Sequence, residues 1–439
     1  MKLRSCLRFL CIALVFVLAG AADASIPFVQ KNTVYAEAAV SYDVDETVSS
    51  LIQTEGIQIP VFKDEDMKQF EIPDSEALQF TRKLKAGWNL GNTFDAHDSG
   101  ETVKGRDYET YWCGAKTSRE LIHELKEAGF NLIRIPVSWH NHLIDENYTI
   151  DPVWLNRVKE VAQWVVEEDM YFIINIHHDN SLKYLYPDPA HYEQSEKYLS
   201  AIWSQLAEAF SDFDDHCIFE SMNEPRLVGN QYEWWLNESS SDCRMAADCI
   251  NQLNQKFVNI VRSAGGNNAT RYLSVPGYCA SPDGALSSLF KIPDDSADHR
   301  IIIEVHAYTP YNYALNLQNK DTRFDLEKDT SKKSEISSFM NRLYNKFIQY
   351  GIPVLIDEFG VLRKDPAGDD LQDRVNFTAF YTASASARGI TCCWWDNHVF
   401  TGNADSERFG IIDRVAIQWK YPDIALAMLQ NCLYHRQAE

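Results

Sequence analysis

Two stretches of this chain carry residues that folding alone does not ask for. Cys217-Ile-Phe-Glu-Ser-Met-Asn-Glu-Pro-Arg226 begins as an apolar run and ends in Asn223, Glu224, Pro225 and Arg226. Pro225 has no N–H to give a ladder, so a strand starting at Cys217 stops there and leaves Glu224 at its C-terminal tip. Pro353-Val-Leu-Ile-Asp-Glu-Phe-Gly360 has the same form, apolar up to Asp357 and Glu358 and then broken by Gly360. One such glutamate is as readily a strand-end charge reaching water. Two predict a pair of carboxylates meeting over a cleft, one ionised and one protonated, as acid/base and nucleophilic chemistry requires.

The elements that must hold this pair alternate along the chain. Gly87-Trp-Asn-Leu-Gly-Asn-Thr93 reads as a first strand, Asn131-Leu-Ile-Arg-Ile-Pro136 as a second and Tyr171-Phe-Ile-Ile-Asn-Ile-His177 as a third. The Cys217 stretch is the fourth, Arg271–Val275 the fifth and Arg300–His306 the sixth, with the seventh at Pro353 and the eighth at Gly389–Trp395. Amphipathic segments separate them. Thr117 with Glu120 predicts a capping box for a helix that Gly129 ends. Asp151-Pro152 is an N-cap with proline at the first helical position. Eight strands alternating with helices imply parallel pairing and a closed (β/α)8 TIM barrel, whose active site is built where the strands end.

Those ends are polar in every strand but the fifth: Asn92 and Asp95 after the first, Arg134 in the second, His177 and His178 after the third, Asn223 and Glu224 after the fourth. His306 and Tyr308 close the sixth, Glu358 the seventh and Trp395 the eighth. Singly, each has a structural explanation. Together they would cost free energy unless paired. Two glutamates beside an arginine, histidines and a tyrosine, with no phosphate-cradling loop and no zinc-type spacing, fit glycoside hydrolysis, with carboxyls about 5 Å apart for retention. Arg134 is expected to keep one glutamate ionised and Tyr308 to hydrogen-bond it, while burial keeps the other protonated.

Seven motifs in order strengthen that reading: Gly87-Trp-Asn-Leu-Gly-Asn-Thr93, Ile133-Arg-Ile-Pro136, Asn175-Ile-His-His178, Met222-Asn-Glu-Pro225, Glu304-Val-His-Ala-Tyr308, Ile356-Asp-Glu-Phe-Gly360 and Trp394-Trp-Asp396. The chain resembles glycoside hydrolase family 5, the cellulase-type retaining endoglycanases. The resemblance implies Glu224 as acid/base, Glu358 as nucleophile and Asn223 on the sugar 2-hydroxyl. It further implies Arg134, His177, His306 and Tyr308 as orienting residues and Trp395 as the platform under the ring. His177 is favoured over His178, and Trp395 over Trp394. The substrates it implies are cellulose, mixed-linkage β-glucan, xyloglucan or mannan, with the motif wording nearest the glucan and xyloglucan branch. A metal-dependent barrel hydrolase would want His-x-His on the first strand, where Trp88-Asn89-Leu90 stands. A non-catalytic sugar-binding barrel has no use for both glutamates.

Composition narrows the partners. A net charge of −22 argues against nucleic acid and against an anionic membrane surface. No cofactor or metal is called for, and a monomer acting on a β-glucan polysaccharide is expected. Residues 1–36 read as a secretory signal: Lys2, Arg4 and Arg8, then an apolar run from Phe9 to Ala22 that is too short to span a bilayer. Ala22-Asp23-Ala24 and Val34-Tyr35-Ala36 both suit cleavage, so the chain is expected to be secreted and soluble. Residues 37–80 read as an acidic extension that packs a helix on the main domain, and 81–435 as the barrel. Of the eight cysteines beyond the leader, Cys243 and Cys249 are the expected bridge candidates.

Overall fold

Short aliphatic runs buried on both faces form the strands of a barrel wrapped by helices. The computed structural model describes residues 51–100, 103, 105–364, 370–403 and 405–432. The expected leader, the first part of the extension and residues 433–435 lie outside that range. The barrel strands are β1 (Gly87–Leu90), β2 (Leu132–Ile135), β3 (Tyr171–Asn175), β4 (Cys217–Glu220), β5 (Leu273–Pro276), β6 (Ile301–His306), β7 (Val354–Phe359) and β8 (Thr391–Asp396). They pair in parallel in that order, and β8 closes on β1 through Gly87↔Cys393 and Asn89↔Trp395.

Between and after the strands lie α2 (Arg119–Ala128), α3 (Pro152–Glu167), α4 (Tyr192–Ala209), α5 (Ser241–Ser263), the short α6 (Pro282–Leu286) and α7 (Tyr311–Ala314), α8 (Thr330–Lys346), α9 (Leu371–Ser386) and α10 (Pro422–Leu429). Asp151 caps α3 as expected, accepting from the Val153 N–H with Pro152 at the first turn. The cap of α2 is Ser118 rather than Thr117: its hydroxyl accepts from the Leu121 N–H, and Gly129 ends the helix at φ 109°. Neither bridge candidate, Cys243 or Cys249, forms a disulfide: all eight described cysteines are free thiols. Both lie inside α5, which starts earlier than its pattern predicts. Six residues of helix separate them by about 9 Å, beyond disulfide reach.

The described part of the extension reaches α1 (Glu76–Arg82), whose N-cap Ser75 accepts from the Leu78 N–H. Ala77 and Phe80 of α1, with Leu84, bury against Leu132, Ile173, Ile218, Tyr272, Ile302, Leu355 and Cys393, one residue from near the N-terminal end of each strand from β2 to β8. Phe80 stacks on Tyr272 at 3.6 Å between ring centres. A helix thus plugs the bottom of the barrel and leaves the C-terminal mouth for chemistry. Thr54 ties the segment before it to α10 through both carboxylate oxygens of Asp423 (2.8 and 2.6 Å). Two pairings break register, between Glu304 and His306 on β6 and between Ile356 and Phe359 on β7. Such bulges let neighbouring residues turn toward the same side.

Candidate active site

Arg134 is the hub of the mouth. It projects from β2 with no exposed surface, and a guanidinium buried there needs acceptors for all its donors. Nε and Nη2 grip the two oxygens of Glu220 (2.6 and 2.7 Å). Nη1 reaches Asn89 Oδ1 (3.0 Å) and Glu358 Oε1 (2.6 Å), and Nη2 also donates to Asn223 Oδ1 (2.8 Å). The other oxygen of Glu358 accepts from the Tyr308 hydroxyl at 3.0 Å. Burial first, then the charge of Glu358, raise Tyr308 well above the usual phenol range, so it stays a donor. Because Asn223 Oδ1 faces Arg134, its amide nitrogen is left to face the cleft.

Glu224 stands opposite. Its Oε1 is 2.9 Å from His306 Nδ1, and Arg226 Nη1 lies 3.4 Å from its Oε2. One oxygen of Glu224, one of Glu358 and a His306 ring nitrogen all lie within 4.8 Å of one another. Retaining glycosidases need this closeness, whereas inverting ones leave about 6.5–9.5 Å for a water.

The expectation that burial keeps Glu224 protonated meets an opposing neighbour in His306. Burial raises its pKa, but the hydrogen bond and charge of His306, with Arg226, outweigh burial and bring it down to about 2. His306 is raised well above the usual imidazole range: burial opposes its charge, yet Glu358, Glu224, Glu304 and Asp357 more than compensate. The 2.9 Å contact lets Glu224 and His306 share the proton that an acid step needs.

His177 and His178 both reach the mouth. Asn175 Oδ1 accepts from the Val137 N–H, so its amide nitrogen donates to His177 Nδ1 (3.0 Å) and to Glu220 (2.6 Å). His177 Nε2 consequently carries a hydrogen and serves as a donor. The ring lies parallel to Trp395, 5.8 Å away at 4°. Trp395 packs with Tyr308, Leu362 and Phe409 at the mouth, whereas Trp394 is fully buried in the main core against Phe359. Gly91 makes room for Trp395, since a Cβ there would sit 2.9 Å from the indole.

Asp95 is buried and accepts from the Asn92 and Thr93 N–H groups (3.0 and 2.7 Å), and its Oδ2 is 3.8 Å from His178 Nε2. Asn92 contributes its backbone, at φ 58°. Neither residue touches the glutamate pair. Asp95, His177 and His178 are close enough to hold an ion, but His177 offers a hydrogen there rather than a lone pair, which suits a hydroxyl better than a cation.

Matching the chain against known sequence families places the cellulase (glycosyl hydrolase family 5) model on residues 96–401. The chain belongs to glycosyl hydrolase family 5. Endoglucanase B of Ruminococcus albus is 40% identical over 352 residues, covering 80% of this chain and 79% of that protein. A family 5 lichenase from a Caldicellulosiruptor species is 48% identical, with a TM-score of 0.82 over 86% of this chain and all of that one. A broad-specificity endoglucanase of Ruminococcus champanellensis with bound cellotriose is 38% identical, covers 82% of this chain and all of its own, and has a TM-score of 0.74.

This family 5 barrel also holds groups that sequence reasoning left out of the site. Glu220, Glu304 and Asp357 are fully buried carboxyls beneath the pair. His306 Nε2 lies 3.4 Å from Glu304 and 3.5 Å from Asp357. Burial and the neighbouring charges raise Glu304 well above the carboxylate range and Asp357 to about 8. Asp179, after β3, accepts from His140 Nδ1 (2.5 Å) and from the Trp139 and His140 N–H groups, tying the loops after β2 and β3 together. An acidic residue inside an otherwise apolar strand is the signal that marks the first three.

Proposed function

We propose that this chain is a secreted retaining endo-β-glucanase that cleaves internal β-1,4 bonds of cellulose-type glucans, with Glu358 as nucleophile and Glu224 as acid/base. The observation that carries this is the pair of carboxylates within 4.8 Å at the mouth, one gripped by Arg134 and Tyr308 and the other by His306. Arg134 and Tyr308 aim Glu358 at the anomeric carbon and take up one oxygen each. His306 returns its proton to Glu224 across the 2.9 Å bond, and Glu224 delivers it to the departing glycosidic oxygen. In the second step Glu224 removes a proton from water, which opens the glycosyl ester on Glu358. Asn223 donates to the 2-hydroxyl, His177 to a neighbouring hydroxyl, and Trp395 lies under the ring.

The curated relatives carry endoglucanase names and one neighbour is a lichenase, which supports cellulose-type and mixed-linkage glucans. Reducing-end release from a panel of soluble glucans, xyloglucan and mannan tests the substrate. A 2-fluoro cellobioside inactivator tests the roles: a covalent label on Glu358 is expected, and a label on Glu224 reverses the assignment. The apolar run at Phe9–Ala22 supports export. Among the described residues no helix is long and apolar enough to cross a membrane. Activity recovered in the medium of an expressing host, with the leader cleaved, tests that reading.

A further inference from the structure

Beneath His306 the strands bring together two carboxyls that the reaction as described leaves unused. Glu304 precedes His306 by two residues on β6, so both turn to the same side. The break in the β7 register adds Asp357. His306 Nε2 lies 3.4 Å from Glu304 and 3.5 Å from Asp357, and an oxygen of one carboxyl lies within 4.8 Å of an oxygen of the other. Neither side chain has exposed surface, and none of their four oxygens meets a well-directed hydrogen-bond donor. Arg134 does not supply one, because its Nε goes to Glu220 and stands 4.0 Å from Asp357. Negative charge is in excess here. Around the three stand Arg134 from β2, Glu220 from β4, Glu224 just beyond it and Glu358 from β7. With Glu304 and Asp357, five carboxyls surround two cations. His177 from β3 and Cys393 from β8 add no charge, since burial keeps both neutral. Two carboxyls this close in a dry site do not both ionise.

We propose that Glu304 and Asp357 share one proton and together present a single negative charge to His306 Nε2, as positioning residues for the acid step. The inference rests on Glu224 as the acid. A hydrogen on Nε2 faces that charge, which leaves Nδ1 as the nitrogen that exchanges a proton with Glu224 across 2.9 Å. Arg134 Nη2 also comes within 3.4 Å of Nε2, but its two hydrogens already go to Glu220 and Asn223, so no lone pair is asked of Nε2. When Nδ1 gives up its proton Glu224 gains it, and the neutral imidazole keeps its Nε2 hydrogen over the pair. The ring is then in the same orientation to take the proton back in the second step. Without the charge beneath it, a buried imidazolium would lose its proton more readily.

The test replaces the carboxyls with amides of the same shape. Glu304→Gln or Asp357→Asn leaves one carboxyl able to carry the charge. Each single variant should therefore keep the alkaline limb of kcat/KM on mixed-linkage β-glucan within about 0.3 pH unit of the parent's. The double variant carries no charge there, and its limb should move to lower pH by roughly 1–2 units. A single variant that moves the limb half as far as the double or more, or a double variant whose limb stays in place, overturns the proposal. A purely structural role would lower the melting temperature and leave the limb where it is. Labelling with 15N-histidine reads the same arrangement without turnover, the His306 signals being those lost in His306→Asn. Nε2 should carry its hydrogen on both sides of the limb, and a bare Nε2 overturns the proposal even where the double variant does not fold. Failure of the glucanase reading looks different, because the unmodified protein would then release no reducing ends while Nε2 kept its hydrogen.

Discussion

Glu224 is the residue whose electrostatics depart most from expectation, and the departure is informative. A buried carboxyl beside a second carboxyl should hold its proton, yet His306 lies 2.9 Å away and favours the ionised form, so the proton available for the leaving group is shared by a pair. The alkaline limb of the pH profile should then report the His306–Glu224 pair rather than one residue. Glu224→Gln is expected to abolish that limb with an aryl glycoside whose leaving group needs no proton. His306→Asn removes the imidazole that stores the proton, so its limb should move to lower pH while kcat falls. A His306→Asn limb at its original pH would show that the imidazole only positions Glu224. Trp395 poses a second question at this scale. If it stacks under the ring, Trp395→Ala should lower kcat and kcat/KM together by about a hundredfold, on the order of 3 kcal/mol. Trp394→Ala should instead act on stability by about 3–5 kcal/mol as a core cavity. Kinetics and thermal unfolding on both variants separate the two, and a fully active Trp395→Ala enzyme would rule the platform out.

At the scale of elements, the barrel is closed at one end by α1 and departs from regular pairing in β6 and β7, whose ends reach the mouth. Phe80→Ala should cost about 3–5 kcal/mol, because the ring stacks on Tyr272 and the site cannot collapse onto a rigid barrel floor. Urea unfolding measures it, and a change under 1 kcal/mol would mean that α1 merely rests on the floor. Asp357 makes a different prediction. Burial first, then Glu220, raise its pKa from 3.8 to about 8. A group with its folded pKa raised contributes full stability below its unfolded pKa and loses it as pH rises through the folded value. Stability should therefore fall between about pH 4 and about pH 8, and Asp357→Asn should flatten that slope. An identical slope in parent and variant would show that Asp357 does not carry it. These same elements mark where sequence reading stopped. The strands, their order and the polar residues at their tips were legible because apolar runs and breakers have a clear period. Asp357 was not legible as a site residue, because regular alternation turns neighbours to opposite faces, whereas the β7 irregularity brings both Asp357 and Glu358 near Arg134. Glu220, the last residue of β4, and Glu304, inside β6, look like exceptions in buried strands until Arg134 and His306 are seen beside them.

For the whole molecule, charge sets which polymers can approach. The chain carries 63 acidic and 41 basic residues, so a neutral glucan reaches the cleft without electrostatic work, whereas a carboxymethylated one must bring anions toward an anionic surface. Repulsion of that kind acts over a Debye length, about 30 Å at 0.01 M ionic strength and about 8 Å at 0.15 M. Raising the salt from the first value to the second should therefore lower KM for carboxymethyl cellulose severalfold and leave KM for mixed-linkage β-glucan nearly unchanged. The effect should fall on KM and not on kcat, because the bond being broken and the groups around it lie inside a mouth too buried for salt to screen. The Arg134–Glu358 contact, with side chains 0% and 7% exposed, is such a case. Michaelis curves for both polymers at the two ionic strengths decide the matter. A parallel response of neutral and charged glucans would mean that long-range charge plays no part in substrate approach, and that selection rests on the aromatic surfaces of the cleft alone.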